Sequence, residues 1–285
     1  MARRVVNELQ ALILGIVQGL TEPLPVSSSG HLILVPWLGD FTYLRENPDF
    51  NKTFDVALHI GTLAGVIVYF WREVQMMLRG LVRLPLRRDL TDVDQRLAAL
   101  MVIGTIPAVI VGGLGEDFID STLGEPWQIA ILLAVFGLVL AWADRRPERH
   151  GMEHVGPKQV LQVGLAQALA LMPGVSRSGV TITAGRLIGL DRDAAARLAF
   201  LLLIPSTAGA IVFKGAGVAM DGLPPGVIGP MIVGITASAI SGYFAIAVLL
   251  RYVRTHSYDA FVVYRLIAAA VVVLLIVSGV RSATF

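Results

Sequence analysis

Six stretches of this chain, roughly 56–71, 97–114, 127–143, 197–213, 227–250 and 261–280, are apolar over close to the length a helix needs to cross a membrane. A hydrocarbon core of ~30 Å takes about 20 such residues. Composition agrees with that reading. Hydrophobic residues make up 55% of the chain, charged residues only 15%, and the mean hydropathy is +0.71. A soluble domain carries about 25% charged residues, so too little polar surface exists here to dissolve a core of ordinary size. A water-soluble enzyme and a disordered chain are both excluded. The net charge of +2 gives no electrostatic footprint for nucleic acid. Without cysteine, neither a disulfide framework nor a thiolate metal site can form. The expected class is an all-α polytopic membrane protein, a single integral domain over 1–285.

Two further apolar segments, 9–21 and 160–172, are short and run into Pro-, Ser- and Gly-rich turns. They fit re-entrant half-helices, giving six transmembrane helices plus two re-entrant hairpins. Met1-Ala2-Arg3-Arg4 opens like a signal peptide, but Gln18 and Glu22 interrupt the run and no small-residue cleavage site follows. The segment is therefore expected to stay in the mature fold. Twenty of the 23 basic residues are Arg. The connection 72–96 carries Arg72, Arg79, Arg83, Arg87, Arg88 and Arg96, 144–158 carries Arg145, Arg146, Arg149 and Lys158, and 251–260 carries Arg251 and Arg254. Residues 115–126 hold Glu116, Asp117, Asp120 and Glu125 without a Lys or Arg. The positive-inside rule places the first three in the cytoplasm and the acidic loop outside, with both termini outside.

The chain also resembles itself. At an offset of 149, Gly15–Ile33 lies over Gly164–Ile182 with identical pairs at Gly15/Gly164, Gln18/Gln167, Leu20/Leu169, Val26/Val175, Ser27/Ser176, Ser29/Ser178, Gly30/Gly179 and Ile33/Ile182. A weaker match lays Leu58–Tyr69 over Leu202–Phe213. The expected repeats run about 9–143 and 160–280. Because the first unit enters from outside and the second from the cytoplasm, the topology is inverted, and broken helices of that kind place functional groups at a shared central site.

The first copy contains Gln18 and Glu22, four apart and so on one helical face, followed by Val26-Ser27-Ser28-Ser29-Gly30-His31. A carboxylate inside an apolar segment is costly and marks a functional site by default; the bland alternative is a Glu reaching interfacial water. Three hydroxyls before a glycine suit a turn that cradles phosphoryl oxygens, although serine runs are also common loop filler. His31 offers an acid or base. The second copy, Pro173-Gly174-Val175-Ser176-Arg177-Ser178-Gly179-Val180-Thr181, substitutes Arg177 for Ser28. A guanidinium fork suits phosphate; its bland alternative is a structural pair with Glu22 or Asp55. Asp55 and His59 are weaker supporting candidates, and Arg186, Asp191, Arg192 and Asp193 read as a solvated interfacial turn. Together these residues suit a divalent cation with a phosphate-bearing lipid.

Gln18-x-x-x-Glu22 with Pro25-Val26-Ser27-Ser28-Ser29-Gly30-His31, and Pro173 through Thr181, resemble the undecaprenyl-pyrophosphate phosphatases of the bacitracin-resistance type over nearly the whole chain. The resemblance implies hydrolysis of undecaprenyl pyrophosphate to the monophosphate in the bacterial inner membrane, which recycles the lipid carrier for peptidoglycan and confers bacitracin resistance. It also implies a site facing outside. By position, Glu22 and Gln18 match the motif's metal-binding pair, Gln18 bringing no charge. Ser28 matches the proposed nucleophile or phosphate-binding hydroxyl, His31 the acid/base and Arg177 the phosphate-binding arginine. Ser27, Ser176, Ser178 and Thr181 are supporting substrate donors, and the cofactor is Mg²⁺ or Ca²⁺. The implied partners are a polyprenyl pyrophosphate lipid and the bilayer, with a homodimer left open. A polyprenyl-phosphate flippase is the rival from another class. A type-2 phosphatidic-acid-phosphatase likeness ranks lower, since it needs a downstream nucleophilic His and only His256, in an expected cytoplasmic link, is available.

Overall fold

The computed structural model describes residues 6–87 and 91–284; Met1-Ala2-Arg3-Arg4, Arg88 and the side chains of Arg87, Glu116, Asp117 and Asp120 lie outside the described residues. Among the described residues it is helical throughout, with a lone β-bridge between His150 and Leu190. The helices are α1 (Glu8–Thr21), α2 (Ser28–Gly39), α3 (Thr42–Glu46), α4 (Pro48–Tyr69), α5 (Trp71–Arg87), α6 (Val93–Thr122), α7 (Pro126–Asp144), α8 (Pro157–Ala168), α9 (Arg177–Leu187), α10 (Arg192–Asp221), α11 (Ile228–Tyr252) and α12 (Asp259–Val277).

Five of these are long and apolar enough to cross a membrane: Val93–Gly115, Pro126–Asp144, Arg192–Gly215, Ile228–Tyr252 and Asp259–Val277. A sixth candidate, Phe50–Tyr69, meets Trp71–Pro85 at 93°. Two expected loops are corrected here. Much of the basic connection 72–96 is the helix α5, whose Val74, Met77 and Gly80 face the bundle while Arg72, Arg79 and Arg83 stay exposed. Most of the acidic loop 115–126 is the last turns of α6, and the actual turn is only Leu123–Glu125. Composition hides such boundaries, because Arg and Glu are as good helix formers as Leu and Met.

Polar and apolar residues are distributed as a bilayer requires. Leu114, Val212, Val248 and Val277 are among many large apolar side chains left exposed, whereas Gln18, Glu22, Ser27, Arg186 and Arg265 are buried. With no hydrophobic force between helices in lipid, close backbone approach has to supply the packing. Glycine provides it here. A methyl at Gly15 or Gly19 on α1 would run into α11, at the carbonyls of Gly234 and Ser238 and the Ser241 hydroxyl. One at Gly164 on α8 would meet the Gly104 carbonyl on α6. So α1 packs on α11 while its sequence counterpart α8 packs on α6, and α6 and α11 also take α10 and α4 respectively.

Two ends of the bundle can be distinguished. At one, Arg96 donates to the carbonyls of Glu153 and Val155, Arg186 and Arg192 pair with Asp144, Arg254 pairs with Asp193, and Asp191 N–H donates to His150. The basic connections thus gather on one face. At the other end, Val6, Leu44, Phe50 and Val227 share a small core, and Arg281 pairs with Asp40 at 2.9 Å. Arg186 corrects the sequence reading: it is 1% exposed, not a solvated turn residue, with Nη2 on the Asp144 and Arg146 carbonyls and Nη1 on Leu190 O. Its carboxylate partner lies 42 positions upstream, beyond the reach of a local pattern.

Candidate active site

Helix α1 ends at Thr21 and α2 begins at Ser28; α8 ends at Ala168 and α9 begins at Arg177. Each break is closed in the same way. Ser27 and Ser176 precede α2 and α9 with φ of 75° and 77°, and their hydroxyls accept from Gly30 N–H at 3.3 Å and Gly179 N–H at 3.1 Å. Positive φ in a non-glycine residue costs about 1–3 kcal/mol and persists where the surroundings impose it. The surroundings here are the opposite break. Ser27 Oγ also accepts from Gly174 N–H at 3.1 Å, and Ser178 Oγ donates to Leu24 O at 2.9 Å. Both helix N-termini therefore open onto one spot, with amide groups and partial positive charge suited to an anion.

Arg265 of α12 locks the arrangement. It is fully buried and its guanidinium donates to Pro25 O in one turn, Gly174 O and Val175 O in the other, and Leu132 O and Leu133 O in α7. No carboxylate pairs with it among the described residues. The adjacent Tyr264 hydroxyl lies 2.7 Å from His31 Nε2.

The carboxylate of Glu22, 4% exposed, is the centre of the polar cluster. Its Oε2 accepts from Ser28 Oγ in a short hydrogen bond, from Gln18 Nε2 at 3.2 Å, and stands 3.5 Å from His59 Nε2. Its Oε1 faces Arg177 Nε at 4.0 Å. Nδ1 of His59 lies 2.7 Å from Asp55 O, which can only accept, so that nitrogen carries the proton. Nε2 then meets the carboxylate and is placed to hold a second proton. Arg177, 23% exposed, extends Nη1 to the hydroxyls of Thr207 and, at 3.4 Å, Ser206.

Of the residues singled out from sequence, Gln18, Glu22, Ser28 and Arg177 come together. Their supporting candidate His59 joins them directly, and Asp55 contributes its backbone carbonyl. His31 is buried beside the cluster with both ring nitrogens engaged, Nδ1 by Ser27 O at 2.7 Å and Nε2 by Tyr264, so neither reaches Ser28. Ser27, Ser176 and Ser178 spend their hydroxyls on the two turns, and Thr181 Oγ1 bonds back to Arg177 O at 2.7 Å. Ser206, Thr207, Tyr264 and Arg265 were not singled out. Arg265 did carry a signal, being an arginine inside the apolar run 261–280. His256, the residue a phosphatidic-acid-phosphatase likeness would need, stacks on Tyr252 at the basic end.

A family model described as "Bacitracin resistance protein BacA" matches residues 11–271. The chain belongs to that family. It is 46% identical over 266 residues to an undecaprenyl-diphosphatase of Geobacter sulfurreducens, covering 93% of this chain and 96% of the relative. To the undecaprenyl-diphosphatase of Pelobacter propionicus it is 44% identical over 276 residues, 96% and 99% of the two chains. To that of Thermomicrobium roseum it is 45% identical over 287 aligned positions, 96% and 100%. Every residue of the cluster lies within the stretch that matches the BacA family.

Proposed function

We propose that this chain hydrolyses undecaprenyl diphosphate to undecaprenyl phosphate and inorganic phosphate in the bacterial cell membrane, at a site built where two inverted copies of one helical unit meet. The observation that carries the reading is Ser28 held on the buried Glu22 carboxylate, with His59 behind and Arg177 in front. Family relatives named for the same activity share 44–46% of their residues with this chain. The exchanged packing of α1 on α11 and α8 on α6, and the matched turns at Ser27 and Ser176, support the inverted duplication.

Phosphoryl transfer is mostly positioning and charge stabilisation. Arg177 and the N-terminal amides of α2 and α9 take the phosphate charge, in a setting of low dielectric where fixed dipoles act strongly. Ser28 Oγ attacks the terminal phosphorus while its proton passes to Glu22, assisted by His59. The bond to the bridging oxygen breaks and undecaprenyl phosphate leaves; water then frees inorganic phosphate from Ser28. His31 holds the turn through Ser27 O and Tyr264.

For a divalent cation, no group of three or more His, Cys, Asp or Glu side chains exists among the described residues. Two buried oxygens nevertheless lack a hydrogen-bond partner, Gln18 Oε1 and Glu22 Oε1. That donor set fits Mg²⁺ or Ca²⁺, hard cations that complete their shells with water and substrate phosphate. When bound, the ion would neutralise diphosphate charge. If the basic end faces the cytoplasm, α1 and α2 enter from the outer face, and the site opens outward. A flippase would use the same arginine and hydroxyls, but a serine bonded to a buried carboxylate has no task in carriage.

The test is phosphate release from undecaprenyl diphosphate by purified protein, with and without EDTA, beside Glu22→Gln and Arg177→Ala. Chelator-sensitive release lost in both variants is expected. Folded wild type that binds the lipid without releasing phosphate would sink the hydrolase reading.

A further inference from the structure

At the basic end, away from the cluster around Glu22, a cavity of about 300 Å³ opens between the end of α7 and the turn after α9. That size is at the lower limit of small-ligand sites. Its walls include Arg146, Arg149, Arg186, Pro147 and Leu187, with Gly189 at the turn. The cleft is built: Arg149 N–H and His150 N–H both donate to Gly189 O, and Asp191 N–H returns to His150 O.

Charge is not balanced around it. Asp144 and Glu148 are shared by Arg186 and Arg192, at 2.7 to 3.4 Å. Arg146 and Arg149 are exposed and have no carboxylate partner among the described residues, so two guanidiniums are left over. Arg186 is 1% exposed and its Nε, though 3.3 Å from Asp144 Oδ1, makes no hydrogen bond. Depth is marked by Trp142. It is 51% exposed within the last turn of α7, with the Arg146 guanidinium 4.5 Å over its ring. Exposed tryptophan at the end of a span sits at headgroup level, so the cavity lies beside the lipid phosphates. Leu187, 44% exposed, supplies an apolar wall to the cavity.

We propose that this cavity binds a phosphate oxyanion, supplied by the headgroup of an anionic phospholipid, as a second site distinct from the one at Glu22. Basic pockets between helix ends on the cytoplasmic side hold such headgroups through surplus arginine. This goes beyond the hydrolase reading and stands without it.

The experiment is native mass spectrometry of delipidated protein titrated with phosphatidylglycerol, phosphatidylcholine or inorganic phosphate. The Arg177→Ala background weakens phosphate capture at the other site. In that background one phosphatidylglycerol is expected to bind in preference to phosphatidylcholine. Adding Arg146→Gln and Arg149→Gln should weaken it about 25-fold, from about fivefold per arginine. Both side chains are exposed, so the fold is kept, and in the wild-type background the pair should leave phosphate release in neutral detergent unchanged. Displacement by millimolar inorganic phosphate, with the same arginine dependence, would support the site and make free phosphate its ligand. Equal binding of both lipids, or no change in the double variant, would overturn it.

Discussion

Arg265 should matter more than its distance from the reacting groups suggests, and Arg265→Met tests this. The side chain donates to five carbonyls. Leu132 O and Leu133 O lie within α7 and keep a helical partner. Pro25 O, Gly174 O and Val175 O lie in the turns and lose their donor. A buried carbonyl left unpaired costs about 1–3 kcal/mol, so three cost about 3–9 kcal/mol. Removing an unpaired buried guanidinium gives back several kcal/mol of desolvation. A net loss of about 3 kcal/mol in unfolding free energy is expected, measured by SDS titration in mixed micelles. Activity should fall further than stability accounts for, because the turns that carry Ser28 and Arg177 lose their shared tether. A displacement of about 1 Å can cost on the order of 100-fold. The expected result is kcat down about 100-fold with KM changed only a few-fold, in protein still folded at the assay temperature. Arg265→Lys keeps the charge but not the fork, so it should recover part of the stability and little of the kcat. Arg265→Met within about 1 kcal/mol of wild type, with kcat within about threefold, would refute the tether.

Other outcomes follow from the same geometry. Ser27→Ala keeps the positive φ and loses both amide bonds, whereas Ser27→Gly relieves the φ; the glycine variant should be the more stable of the two by about 1 kcal/mol in the same titration. Ser28→Ala should abolish phosphate release, and acid-quenched wild type under turnover should carry phosphate on Ser28, which peptide mass spectrometry can locate. Gly19→Val forces side chain into the Ser238 carbonyl and Ser241 hydroxyl and should cost at least about 1–3 kcal/mol, read as lost monodisperse yield. Arg186→Met leaves Asp144 paired with Arg192 but takes the donor from the buried carbonyls of Arg146 and Leu190 and should destabilise by about 1–3 kcal/mol, whereas Arg254→Met at the exposed Asp193 pair should change stability by less than about 1 kcal/mol.

The helices and the two breaks were legible because apolar run length and the paired Val-Ser-x-Ser-Gly motif are local signals. Glu22, Ser28 and Arg177 were legible for the same reason, each lying inside a motif. What escaped was non-local or masked by its neighbours. Arg265 answers to carbonyls 90 to 240 positions away, and carbonyls leave no trace in sequence. Arg186 stands near Asp191, Arg192 and Asp193, so it read as one more solvated charge until Asp144 was seen to meet it. His31 read as the base for Ser28 because it follows three residues later, but on α2 that spacing turns its ring toward Ser27 O and Tyr264. His59, 31 residues beyond Ser28 on another helix, took the place beside the carboxylate.

The tether at Arg265 also sets an order of assembly. Chain synthesis delivers the first turn with α1 and α2, and the second only after α7 and α8. The donor that joins them arrives in α12, after every other helix described. Until then the carbonyls of Pro25, Gly174 and Val175 have no arginine to meet, and the two turns are joined only by contacts such as Gly174 N–H on Ser27 Oγ. A nascent chain stalled before α12 would hold all the residues of the motifs and lack the arginine that spans both turns. The bond set that joins the two turns is therefore completed by the most C-terminal helix described, which no earlier helix can replace in that contact.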